Sequence, residues 1–210
     1  MSMATMSLWN IGYKEIVTHS ISEYEKGWVN NPKDPGKETM CGITIATATQ
    51  YKDELVAKFK WTGKMCDLTQ EMADYIYLTY WWKPLRCDDL RAIHPFIAQR
   101  VFDFGINGGR GRAGESLQIV LNVLNRNATD YPDLVVDGGI GNKTIEALKA
   151  YANKRGQDGL RGLLIGIASR HMVHYQTIAI ANQDLETFSN GWQTRIEQDI
   201  AMYYRVYGNV

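Results

Sequence analysis

From Leu8 onward the apolar residues Ile11, Ile16, Val17, Ile21, Tyr24 and Trp28 fall near helical spacing. The steps from Val17 to Trp28 are four, three and four, which keeps those residues on one face of an amphipathic helix. Glu25 follows Ile21 by one turn, at the edge of the same stripe, and Gly27 reads as the stop. Residues 29–43 carry too much Pro, Gly and Asn for a helix, so a turn-rich loop or short irregular hairpin is expected there. Thr44 caps a predicted helix over 45–59. Thr69 caps another, running through Tyr75, Ile76, Leu78, Tyr80, Trp81 and Trp82 and stopping at Pro84.

The second half keeps the helical period. Pro95 opens a helix through Phe102, closed by the glycine-rich run 103–109, and Arg110 leads the next one to Leu124. Residues 136–144 precede a short helix that ends near Tyr151. Leu160 to Ile180 is a long apolar-periodic stretch, and Trp192 to Tyr207 closes the chain. No strand of convincing length appears, so the fold class expected is all-α, with an irregular loop or hairpin between two helices.

Composition narrows the function. A chain of 210 residues is one domain with a sizeable core. The 23 basic and 23 acidic residues balance, which argues against a nucleic-acid partner. No apolar run is long enough to cross a bilayer, and residues 1–10 lack the charged and apolar regions of a secretory signal. Synthesis in a cytoplasm is the expectation, with Cys41, Cys66 and Cys87 as reduced thiols. Six Trp and twelve Tyr are ordinary core material, yet amphipathic rings also suit sugar faces. Trp28, Tyr80 and Trp81 are the candidates for that second use.

The chemistry concentrates between residues 25 and 44. Glu25 is followed nine residues later by Asp34 and five further by Thr39, with tight turns between. Two carboxylates and a hydroxyl packed between helices is what acid-assisted cleavage of a glycosidic bond requires. Taken alone, Glu25 is a solvated helix-end residue and Asp34 a turn residue. Glu25, however, would meet the negative end of a helix dipole and lie between Tyr24 and Trp28, and both influences disfavour its charged form. A carboxyl kept protonated near neutral pH can act as a general acid. Glu38 competes with Asp34 for the second carboxylate. Three rival chemistries are weaker. His171 and His174 share a helix face without a third ligand and read as solvated histidines. Cys41 has no nearby histidine in sequence. The run Gly105–Gly114, with Arg110 and Arg112, lacks the Gly-Lys-Ser/Thr ending of a phosphate loop. No metal and no organic cofactor is implied.

The order Glu, Asp nine residues on, then Thr is similar to the catalytic segment of phage-type lysozymes. The motifs Glu25-Lys26-Gly27-Trp28, Asp34-Pro35-Gly36-Lys37-Glu38-Thr39 and Gly42-Ile43-Thr44 resemble, more closely, the N-acetylmuramidases of glycoside hydrolase family 108. Lys26 and Lys37 stand where that family has glycines. Asp103, Asn107, Leu117, Gln118, Asp137, Gly138, Gly141 and Thr144 resemble the family's peptidoglycan-binding region, and Gly191-Trp192 with Arg195 resembles its C-terminal motif. The resemblance implies a lysozyme-like fold with a catalytic region at 8–95 and a peptidoglycan-binding region at 96–210. It implies cleavage of the β-1,4 bond between N-acetylmuramic acid and N-acetylglucosamine. Glu25 would be the acid, Asp34 would position a water or stabilise an oxocarbenium-like state, and Thr39 would help hold that water. Asn107 is a candidate substrate contact, whereas Asp137 reads as the anchor of its own turn and Trp192 as a packing residue. The partner implied is the peptidoglycan glycan strand, met by a monomer after release to the cell wall by a holin or another export helper. A lytic transglycosylase and a non-catalytic peptidoglycan-binding protein remain open alternatives.

Overall fold

A computed structural model describes residues 28–30 and 37–208. The predicted helix with Glu25 and its stop at Gly27, and the Asp34 turn, lie outside the described residues, whereas Trp28, expected on the helical stripe, opens a strand. The described residues up to Trp81 form one compact unit, and those from Trp82 onward form a second. The architecture is all-α with one small sheet.

In the first unit, β1 (Trp28–Asn30), β2 (Glu38–Met40) and β3 (Ile43–Thr44) make a three-stranded antiparallel sheet in the order β1-β2-β3. Strands of two or three residues are too short for a period of two to show in sequence. Cys41 and Gly42 close β2 onto β3 with φ values of 51° and 73°. Positive φ at both central residues is the turn that matches strand twist in two-residue hairpins.

Thr44 caps the next helix as expected, its Oγ1 accepting from Thr47 N at 3.2 Å. The single helix expected over 45–59 is instead two, α1 (Ile45–Gln50) and α2 (Lys52–Phe59), divided at Tyr51, whose φ is −106°. A short 3-10 turn at Met65–Asp67 leads to α3 (Gln70–Tyr77), capped by Thr69 Oγ1 accepting from Met72 N at 3.3 Å. The helix then loosens into a π-helical turn over Leu78–Trp82. Ile43, Leu55, Met65, Leu68, Ile76 and Tyr77 are buried.

The second unit is built round α5 (Pro95–Gly108), preceded by α4 (Cys87–Ile93). Every residue of α5 from Pro95 to Gly105 is buried. A helix covered on all sides is central, and its charged residues must be paired where they lie. Around it stand α6 (Arg110–Leu124), α7 (Asn142–Ala181) and α8 (Glu186–Tyr207). The helix expected to stop near Tyr151 continues and joins the next one across Gly156, where φ 57° and ψ −151° break the helical path. That region of conformational space belongs almost only to glycine. Trp192 anchors α8 as expected, stacking on Tyr175 with centroids 4.7 Å apart.

Candidate active site and glycan-contact residues

The hairpin fixes the faces of its side chains. Trp28 pairs with Met40, and Thr39 pairs with Thr44. Side chains alternate along a strand, so Trp28, Glu38 and Met40 share one face and Thr39 and Thr44 the other. On the first face Trp28 Nε1 donates to Glu38 Oε1 at 2.8 Å. Trp28 is exposed, with its ring available on the surface. Thr39 lies mid-sheet, opposite the cap of α1. The hairpin thus places Glu38 and Thr39 on opposite faces. Lys37, which stands at a family glycine, has φ 52°. The backbone asks there for the left-handed conformation that glycine adopts freely.

Tyr80 and Trp81 ride on the π-helical turn and make different contacts. Tyr80 stacks on Tyr51 with centroids 3.7 Å apart and donates to Glu54 Oε1. Tyr75 donates to the other Glu54 oxygen at 2.8 Å. The two phenols, Tyr80 first, hold the Glu54 carboxyl below its ordinary range, while burial and Glu54 push the Tyr80 phenol up. Glu54 escaped the sequence reading, because its partners lie 21 and 26 residues away. Trp81 leans against Tyr77 at 6.0 Å, and Tyr77 OH reaches the Cys41 carbonyl at 3.5 Å. Burial and the Asp74 carboxylate raise the Cys41 thiol, which works against a thiolate nucleophile.

In the second unit a buried ion network lies beneath Asn107. Arg100 pairs with Asp199 at 2.7 Å and with Asp103 Oδ2, and Arg195 pairs with Asp103 Oδ1 at 2.6 Å. Asn107 Nδ2 donates to the Asp103 carbonyl at 2.9 Å and to Asp103 Oδ1 at 3.2 Å. His171, expected to be solvated, is 0% exposed. Its ring stacks between Phe104 and Tyr175 at 4.0 and 4.3 Å, and its Nδ1 lies 3.1 Å from Arg100 Nη2. Burial, with Arg100 beside it, holds the imidazole neutral. A neutral Nδ1 facing a guanidinium is an acceptor. No group of three or more His, Cys, Asp or Glu that could hold a metal occurs among the described residues.

Asp137 behaves as the turn anchor expected, its Oδ1 accepting from Gly139 N at 2.9 Å and from Gln118 Nε2 at 2.8 Å. Gln118, buried in α6, also accepts from Gly138 N at 2.8 Å. The loop approaches α6 so closely that a Cβ on Gly114 would collide with the Gly138 carbonyl. These contacts belong to the loop's architecture. They lower the Asp137 carboxyl, chiefly through Gln118.

Residues 18–109 match the profile of the family described as Glycosyl hydrolase 108. Residues 18–109 are a glycosyl hydrolase family 108 region. Residues 113–197 match a second profile, described as Predicted Peptidoglycan domain. Together the two regions mark the chain as a peptidoglycan hydrolase. The first match ends at Gly109, just before α6, and the second begins at Ala113, within α6. A solved structure described as "Structure of Brucella abortus SagA" aligns with 93% of this chain and 95% of that one, at TM-score 0.66 and 25% identity. Among curated proteins none matches the chain. No helix among the described residues is long and apolar enough to cross a membrane.

Proposed function

We propose that this hydrolase is an N-acetylmuramidase, cutting the β-1,4 bond between N-acetylmuramic acid and N-acetylglucosamine. The observation that carries the reading is the family 108 match over residues 18–109, which spans the Glu25, Asp34 and Thr39 series. Glu25 protonates the leaving glycosidic oxygen. Asp34 orients the attacking water or stabilises positive charge on the sugar. Thr39 assists in holding that water. Trp28, Tyr80 and Trp81 offer rings to the sugar faces. Asn107 contributes a hydrogen bond.

Glu25→Gln tests the assignment. The amide keeps the shape of the side chain and cannot act as a general acid, so clearing of a cell-wall suspension should fall about a hundredfold or more. Near wild-type clearing by a folded Glu25→Gln protein contradicts it.

A further inference from the structure

Asn107 is an exposed side chain held from below by a buried one. Both hydrogens of its amide nitrogen are spent, one on the Asp103 carbonyl and one on Asp103 Oδ1. Chemistry fixes this orientation. Turning the amide over would set its oxygen against two acceptors. The Asp103 carboxylate cannot rotate away either. Its Oδ2 pairs with Arg100, and its Oδ1 takes Arg195 and Asn107 together. Asp103 is 1% exposed, and Arg195 approaches from α8 while Asp103 and Asn107 sit on α5. The Asn107 side chain therefore presents one polar atom outward, Oδ1, and that atom can only accept.

We infer that Asp103 and Arg195 are positioning residues, which hold Asn107 Oδ1 as an acceptor for an acetamido N–H of an N-acetylated sugar. The inference rests on the peptidoglycan reading and adds what selects the sugar. A rigid acceptor prefers an obligate donor. The secondary amide N–H of an acetamido group is one, whereas a hydroxyl can serve either way. Fixing the side chain before binding removes the ordering cost that a free Asn would carry.

The test is binding in a Glu25→Gln background, so that the probe survives. The probe is the β-1,4 tetramer of N-acetylglucosamine, titrated beside the β-1,4 tetramer of glucose, which carries a hydroxyl in place of each acetamido group. Asn107→Ala should weaken the acetylated tetramer about five- to tenfold, the scale of one hydrogen bond, and weaken the glucose tetramer clearly less. Arg195→Lys keeps the charge but loses the fork, and should weaken the acetylated probe to a similar degree. In combination with Asn107→Ala it should cost nothing further, which a purely structural role would not produce. Slow exchange of the Asn107 amide protons in the unsubstituted chain gives a second measurement that no folding defect can confound.

Unchanged affinity in a folded Asn107→Ala protein overturns the inference. So does equal loss from Arg195→Lys with and without Asn107, rapid exchange of the Asn107 amide, or no binding of the acetylated tetramer. Wall lysis measured separately on the unsubstituted protein reports on the hydrolase reading, so the two failures are distinguishable.

Discussion

Trp28 and Glu38 are joined across the hairpin, indole Nε1 to carboxylate Oε1, at 2.8 Å. They are diagonal neighbours on one face of the sheet, within the reach of an aromatic side chain. Glu38 thereby has a structural partner, on the face that Thr39 does not share.

Glu38 is thus held by Trp28, and substitution tells the two candidate second carboxylates apart. Glu38→Gln keeps an oxygen to accept from Trp28, so wall-clearing rate should stay within a few-fold of the parent. Asp34→Asn removes the charge proposed to stabilise the transition state and should cost about a hundredfold or more. Initial rates of both variants on purified walls make the comparison. If Glu38→Gln is the dead variant, Glu38 and not Asp34 completes the pair.

Lys37 offers a stability test. Its φ of 52° strains a residue with a Cβ by about 1–2 kcal/mol, and glycine would relieve this while adding freedom to the unfolded chain. Lys37→Gly should therefore raise stability by roughly 1 kcal/mol or less, visible in the urea midpoint. A lower midpoint would mean that the Lys37 side chain stabilises the hairpin in another way.

The buried imidazoles set an acid limit. Burial lowers His94 to about 4 and His171 well below its ordinary value. An unfolded histidine titrates near about 6.5, so below that pH the unfolded chain binds protons that the folded chain refuses. Stability is complete above about pH 6.5 and falls as pH drops through the window down to 4 for His94 and beyond for His171. Each imidazole should cost about 2 kcal/mol by pH 5. Burial also lowers His174, which adds in the same direction. Glu54, Asp130 and Asp137 have lowered values and lose their contribution only below about pH 4.5, under the window. Urea midpoints at pH 7.5 and pH 5 check this. A midpoint that does not fall would contradict the neutral, buried state of both rings.

What the sequence disclosed was local. Thr44 and Thr69 marked helix starts because each cap accepts from an amide three residues on, and Pro95 did so because its fixed φ suits the first helical position. Asp137 was legible as a turn anchor for the same reason. What escaped was long-range. His171 looks solvated on a helical wheel, but Arg100 stands 71 residues away in sequence and fills its surroundings. Arg195 was visible only as part of a motif, since its partner Asp103 lies on a different helix. Glu54 carries no signal until Tyr75 and Tyr80 fold onto it. The break at Tyr51 and the π-helical turn at Leu78–Trp82 likewise follow from packing rather than from propensity.

The central claim is the bond that is cut. Purified peptidoglycan digested with the unsubstituted protein, reduced with borohydride and analysed by mass spectrometry reports it directly. A muramidase leaves N-acetylmuramic acid at the new reducing end, so the account predicts N-acetylmuramitol on the released muropeptides. N-acetylglucosaminitol ends would place the cut at the other linkage, and anhydro ends that resist reduction would replace hydrolysis with lytic transglycosylation. Either result would contradict the account.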